Sequence, residues 1–374
     1  MSITQQALAD ELQTVIDHKL NDDMNGVNRK WVQILHKVLT EGTMVGKDAE
    51  RTGTGCVSLF GGITEVFDVE NFPLIGYKHV SAKQSFGEIL AMMNGATNTN
   101  VFKTWGAGTI WDEWATESGD LGPIYGKQWR EWLAPCGVID QLVDVLQQLK
   151  QNPHSRRHVV SAWNPSVLPL PAMSAQENVA AGRMALPPCH FAFQFGVVDI
   201  GRDKGVQYQE RLFSSYKQAQ MQDAMVVEER DALAQKIVQL VGFAPSKRLD
   251  MVLEIRSNDL FLGAPYNIAG YALLLKLFAE YLGMVPGKLF YRVGDAHVYL
   301  NHFEAIADMT QNYRRLQKHI LEQQALDTSL LVEDLPPPLV LTPMMNSYPW
   351  EINAKDILVL NYEHLGVFKA PIAV

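Results

Sequence analysis

Residues 186–200 read LPPCHFAFQFGVVDI. Proline has no N–H to give a helix or a sheet ladder, so Pro187 and Pro188 make a stiff approach. The run from Phe191 to Ile200, dense in aromatic and β-branched residues, predicts a buried strand. Cys189 and His190 fall at the junction of the two. A cysteine there is either a core residue or a nucleophile. The rigid approach, with arginines elsewhere able to hold a thiolate, raises the second reading. No CxxC or HExxH spacing occurs, so no metal centre built on Cys or His is expected.

Downstream, Met251–Ile255 predicts another strand. It runs into RSNDLFLGAPYN at 256–267 and a helix from Asn267 to Leu282 that is apolar on nearly every side. Asn267 either caps that helix or pairs with an amide-containing heterocycle. Upstream, SRRHVV at 155–160 sets Arg156 beside Arg157 ahead of a strand at 158–163. Strand neighbours point to opposite faces, so one chain rarely grips one phosphate with both; a solvated basic pair is the other reading. RTGTG at 51–55 has glycines able to approach a phosphate but neither dinucleotide nor P-loop spacing.

The remaining pattern completes one mixed α+β domain over residues 1–374. Helical spacing covers 4–20, and a second helix runs through Trp31, Ile34, Leu35 and Leu39. Strands are expected at Cys56–Phe60 and Ile63–Val69, and helices at Ser85–Met93 and Ile139–Leu149, while 111–132 reads as a Gly- and aromatic-rich loop. Helical character over 207–241 makes about 202–246 an insertion, and residues 1–28 an N-terminal extension. Composition is ordinary: 47% hydrophobic and 20% charged over 374 residues. The formal charge of −9 disfavours nucleic-acid partners, so an anionic substrate needs a local arginine cluster. Three cysteines make no disulfide framework, and no apolar run approaches membrane-spanning length.

Taken together, RTGTG, TIWDEW (109–114), GDLGPIYGKQWREW (119–132), SRRHVVSAWN (155–164), LPPCHFAFQF (186–195), RSNDLFLGAPYNIAGYALL (256–274), GDAHVYLNH (294–302) and KAPIAV (369–374) resemble the thymidylate synthase family. The resemblance is collinear over about 31–205 and 247–374. It implies that family's α+β fold, a mixed β-sheet core with helices, and a symmetric homodimer packed through the sheets. It also implies a cytoplasmic location (host cytoplasm for a phage-encoded chain), no membrane, no nucleic acid and no metal. The implied reaction transfers a one-carbon unit from 5,10-methylenetetrahydrofolate to C5 of dUMP through a Cys–C6 adduct.

By that resemblance Cys189 is the nucleophile, aided by Arg256. Glu88, Tyr125 and His190 form the proton-relay neighbourhood, and Asn267 reads the pyrimidine edge. Arg51, Arg256 and Ser257 take the phosphate, with Arg156 and Arg157 donated across the dimer. Gln194 supports the nucleotide, and His297 and Tyr299 contact the ribose. Asp259 pairs with the pterin, walled by Ile110, Trp111, Leu186, Leu262, Gly263 and Tyr266. Lys78 meets the glutamate tail, and Val374 closes over the site. Reductive methylation to dTMP leads over hydroxymethylation by water. An inactive nucleotide- or RNA-binding regulator is the third reading. The stretch EILAMMNGATN at 88–98 departs from the usual ELLWFLxGDTN at Met92 and Ala96, and Gly87 and Asn258 are unusual too. A smaller wall at these positions would admit water and favour the hydroxymethyl product.

Overall fold

A computed structural model describes residues 3–17, 26–48, 53–220, 245–326, 338–343, 345 and 348–372. Its centre is a six-stranded mixed sheet in the order β1-β2-β8-β7-β6-β5. The strands are β1 Thr43–Val45, β2 Cys56–Asp68, β5 Val159–Ser161, β6 His190–Asp199, β7 Lys247–Asp259 and β8 Val285–Tyr299. Two small hairpins stand apart, β3 Trp132–Ala134 with β4 Gly137–Ile139, and β9 Leu339–Leu341 with β10 Leu358–Leu360. All pairings in the large sheet are antiparallel except β7 with β8. Parallel neighbours need a crossover, and the helix at Gly263–Tyr281 supplies it.

Eight helices precede that crossover among the described residues: α1 Gln5–Asp17, α2 Val27–Glu41, α3 Ala82–Met93, α4 Thr99–Trp105, α5 Tyr125–Arg130, α6 Gln141–Gln151, α7 Ala175–Ala180 and α8 Arg202–Gln220. The crossover is then α9, and α10 spans Phe303–Leu326. Polar side chains start several of them. Ser81 accepts from the Gln84 amide before α3, Asp140 accepts from Leu142 and Val143 before α6, and Ser174 forms a capping box with Glu177 before α7. Helix α9 is buried along almost its whole length, from Ala264 to Ala279, as its all-round apolar sequence requires.

Alternation along the strands gives the sheet two unlike faces. One carries Leu249, Met251, Leu253, Ile255, Leu289 and Tyr291 into the core. The other presents a cross-strand row of Val159, Gln194, Val252, Phe290 and Val66. Val159 on this row is 49% exposed, and Phe60, at the β-bulge that interrupts β2, is 83% exposed. This face is uncovered in the single chain.

Several sequence expectations are corrected in detail. The crossover helix begins at Gly263 rather than Asn267, because Pro265 sits in the first turn, where no N–H is needed. Strand β7 is far longer than Met251–Ile255. The stretch 111–132 is not all loop, since it holds the six-residue α5, which is too short to show a period of its own. In the N-terminal extension, α1 buries Leu8, Ala9, Leu12 and Val15, and Thr310 of α10 donates to Glu11.

The insertion leaves β6 after Asp199 and re-enters at Lys247, where the Ile200 amide donates to the Ser246 carbonyl. Its described part, α8, packs Tyr208 and Leu212 against Val285 and Leu341, and Arg211 pairs with Glu70. That is the far end of the sheet from Cys189. At about 3.3 Å per residue, the length of β7 puts roughly 40 Å between the two ends. The rest of the predicted 207–241 helix lies outside the described residues.

Candidate active site

Cys189 stands immediately before β6, half-buried, with a register irregularity between His190 and Ala192. Such bulges re-aim side chains at the end of a strand. The two prolines before it have no N–H, and their carbonyls hold the Arg256 side chain. Its Nε donates to the Pro188 carbonyl and its Nη2 to the Pro187 carbonyl, each at 2.9 Å. Nη2 also lies 3.6 Å from Cys189 Sγ. A fixed guanidinium at that distance favours thiolate over thiol. The Arg256 amide donates to the Cys189 carbonyl at 2.8 Å, locking the two strand ends together. Arg256 is thus placed to act on the Cys189 sulfur electrostatically.

The aromatic residues behind the sulfur are tightly bonded. The Cys189 amide donates to Tyr125 Oη at 2.8 Å, and the His190 ring stacks on Tyr125 with centroids 4.1 Å apart. His190 Nδ1 lies 2.7 Å from Tyr271 Oη. Burial pulls the His190 imidazole down to about 3, so it is neutral at physiological pH. Burial also pushes the Tyr125 and Tyr271 phenols well above their usual range. Tyr125 therefore remains a neutral phenol beside the cysteine.

Helix α3 brings in Glu88, whose Oε1 accepts from Trp111 Nε1 at 2.9 Å. Burial pushes this carboxyl up to about 7, and the indole hydrogen bond only partly offsets it. A carboxyl balanced near neutral pH is suited to proton relay. Trp111 is wedged between Phe102, Trp114 and Tyr125, with centroids 5.6, 6.1 and 5.9 Å away. It joins the Glu88 and Cys189 neighbourhoods.

The end of β8 supplies a third group. His297 Nδ1 lies 3.1 Å from Asp295 Oδ1, and Ser58 Oγ donates to Asp295 Oδ2 at 2.7 Å. The His297 hydrogen bond is the main cause that holds Asp295 below the usual carboxylate range. His297 and Tyr299 are in edge-to-face contact, centroids 4.9 Å apart. Asp259 Oδ1 accepts from the Phe261 and Leu262 amides at 2.9 and 3.2 Å. Burial pushes its carboxyl up, but His302, His297 and the Leu262 amide outweigh it and hold Asp259 low. Trp31 of α2 donates to the Leu260 carbonyl at 2.8 Å and fixes this turn.

Other predicted residues fall in varied settings. Asn267 is half-buried in the second turn of α9, and its side-chain amide makes no hydrogen bond within the described residues. The helix N-cap is Leu262, so the capping alternative for Asn267 is set aside. Ser257 is half-buried and pairs in register with Asp295. Arg156 and Arg157 are exposed, and neither guanidinium bonds the Cys189 group or any other described residue. Exposed Gln194 donates to the Arg156 carbonyl at 3.1 Å. Leu186, Leu262, Gly263 and Tyr266 are half-buried, and Ile110 is 45% exposed.

Lys78 does not reach solvent. It is buried, donates to the Phe261 carbonyl at 2.8 Å and lies over the Phe261 ring. Burial lowers its ammonium to about 8 against the pull of Asp259. In this arrangement it is not placed to meet a glutamate tail. Arg51 and Val374 lie outside the described residues.

Sequence reasoning missed Tyr271, Asp295 and His302. The spacing of Asp295 and His297, two apart on a strand, was a readable sign that they share a face. Tyr271 and His302 gave no local signal, because their partners are distant in sequence.

Residues 29–374 match the family profile described as thymidylate synthase. Over 347 residues the chain is 33% identical to a thymidylate synthase of Francisella philomiragia, which covers 92% of this chain and all of that protein. No described helix is long and apolar enough to cross a membrane, and the described residues hold no cluster of three or more His, Cys, Asp or Glu placed to bind a metal ion. The collinear motifs, the Cys189–Arg256 pair and these matches agree: the chain belongs to the thymidylate synthase family, whose reaction is one-carbon transfer from methylenetetrahydrofolate to C5 of dUMP.

Proposed function

We propose that the chain is a homodimeric thymidylate synthase that methylates dUMP reductively. Cys189 adds as a thiolate to C6 of the uracil, which makes C5 nucleophilic. Arg256 steadies the thiolate and, with Ser257, Arg51 and the partner's two arginines, binds the phosphate. Asn267, whose amide is unengaged, donates to O4 and accepts from N3–H. His297 and Tyr299 take the ribose hydroxyl. Glu88, held by Trp111 and titrating near neutrality, relays protons through water with Tyr125 and His190 beside it.

The open apolar surface of Ile110, Leu186, Leu262 and Tyr266 fits a flat pterin, with Asp259 for its polar edge. When bound, the folate supplies the methylene carbon and then the hydride. The uncovered sheet face, bordered by exposed Arg156, supports a two-fold dimer in which the arginine pair serves the other subunit.

The observation that carries methylation over hydroxymethylation is the closed packing around Trp111, which is only 7% exposed. The unusual residues lie in buried surroundings. Met92 and Ala96 are buried, and a Cβ on Gly87 would lie 2.2 Å from the Trp105 carbonyl, so the missing side chain is replaced by backbone. Asn258 is buried and donates to Tyr291 Oη at 2.7 Å. The described part of the insertion lies at the opposite end of the sheet.

The test is mass spectrometry of the nucleotide after incubation with dUMP and methylenetetrahydrofolate, while dihydrofolate is followed by absorbance. A methyl-sized gain with stoichiometric dihydrofolate is expected. A hydroxymethyl-sized gain without dihydrofolate would replace this reading, and failure to form any covalent nucleotide complex would leave a binding protein.

A further inference from the structure

His79 and His364 stand 285 positions apart in sequence, yet their rings meet with centroids 4.7 Å apart and planes at 70°. The backbone on both sides is tied. The His79 amide donates to the Gly366 carbonyl at 2.7 Å, and the Leu365 amide donates to the Gly76 carbonyl at 2.9 Å. Tyr362 Oη accepts from the Val80 amide and donates to the Ile75 carbonyl, each at 2.8 Å. Residues 75–80 and 362–366 therefore hold the two rings side by side. His79 is half-buried and His364 is exposed. Neither imidazole makes a hydrogen bond or ion pair with another described residue.

This spacing suits a shared metal ion. An ion 2.0–2.1 Å from one nitrogen of each ring sets the ring centres roughly 4.5–5.2 Å apart, for ligand angles from about 90° to tetrahedral. The observed separation falls inside that window. Burial, then His364, then Lys78 lower the pKa of His79, so its ring is neutral at physiological pH and keeps a lone pair for a metal. Lys78 adds an opposing charge, but its ammonium turns inward to the Phe261 carbonyl. Among the described residues no third His, Cys, Asp or Glu joins the pair, so it fills half of a tetrahedral shell and leaves the rest to solvent.

We infer that His79 and His364 form a binding site for a divalent transition ion of the zinc, nickel or copper class, and that the ion staples residues 75–80 to residues 362–366. Imidazole is a favoured ligand for all three metals. No CxxC or HExxH spacing could encode such a site, because its two ligands come from distant parts of the chain. The inference does not depend on the proposed reaction.

The test is titration of the untagged, chelator-treated chain with Zn2+ by calorimetry, in the parent, His79→Gln, His364→Gln and Cys136→Ser. The parent is expected to take up one equivalent. Either histidine variant should bind at least about tenfold more weakly, the least that loss of a direct ligand costs. His364 is exposed, so its replacement leaves the packing intact. Cys136→Ser should bind like the parent. Zinc held by Cys136 or Cys189 would survive in both histidine variants, and that result overturns the inference, as does the absence of saturable binding to the parent.

Amide hydrogen exchange gives the second measurement. Zinc should slow exchange at 75–80 and 362–366 together in the parent and in neither segment of His364→Gln. Exchange unaffected by zinc in the parent would mean that the two rings make only an aromatic contact, and the staple falls. Neither experiment uses turnover, so a failure of the proposed function would leave both readings of this site intact.

Discussion

The cysteine neighbourhood and the arginine pair are both rich in groups that bind anions, and they are built in opposite ways. Around Cys189, four polar side chains have partners in the same chain: Arg256 on two proline carbonyls, Tyr125 on the Cys189 amide, His190 on Tyr271, Glu88 on Trp111. Arg156 and Arg157 are exposed and their guanidiniums hold nothing among the described residues. They lie beside Gln194, at the border of the uncovered sheet face. The lesson is that the polar groups around the cysteine are preorganised within one chain, whereas the arginine pair, proposed to grip the phosphate of the other subunit, has no partner among the described residues of its own.

The largest effect should come from breaking the preorganised side. Cys189→Ala is expected to lower turnover by more than about a thousandfold while leaving dUMP affinity near the parent value. Turnover that survives would remove the nucleophile. The arginine side is tested by mixing subunits. Cys189→Ala and Arg156→Ala/Arg157→Ala chains, each inactive alone, should regain about a quarter of parental activity after random reassociation, because half the dimers then carry one complete site. No recovery would mean that the pair acts in its own chain.

Glu88 sharpens the comparison on the stability axis. Burial raises its pKa from 4.5 to about 7, so the folded state holds the proton more tightly than the unfolded chain. The cost of that carboxyl is absent below the unfolded value and grows as pH rises from there to about 7, reaching on the order of 3 kcal/mol. Glu88→Gln should therefore be more stable than the parent in urea melts at pH 8, with the gap closing near pH 4.5, and yet be catalytically impaired. Equal stability at both pH values would show that Glu88 is not desolvated.

The smallest effect belongs to Asn267→Asp. Preference for dUMP over dCMP should fall by about 10- to 100-fold, the value of one mismatched hydrogen-bond pair of 1–3 kcal/mol. Competition kinetics with both nucleotides give the ratio directly, and an unchanged ratio would refute the base-reading role.

What could be read from the sequence follows the range of the interactions. Strand β6 and the body of α9 were legible because their apolar content is continuous and local. The start of α9 was misplaced because Gly-Ala-Pro resembles loop punctuation, although proline fits a first helical turn. Helix α5 was missed because tertiary packing of Tyr125 and Trp129, not periodicity, holds it. The motif residues were recognisable one by one, but the Glu88–Trp111 and His190–Tyr271 contacts cross 23 and 81 positions, and no local pattern encodes such distances. The burial of Lys78 under Phe261 was hidden for the same reason.

The closed neck at Ile200 and Ser246 has a consequence for folding and for evolution. Chain leaves and re-enters the β6–β7 hairpin within one hydrogen bond, so the length between the two strands can change without shifting their register. Joining them through residues 200–246 instead of a turn of a few residues costs about 2 kcal/mol in loop closure and makes this pairing a late, non-local event. A hinge-free gate of this kind lets a lineage add, lengthen or discard a module while the catalytic half of the same two strands stays in place.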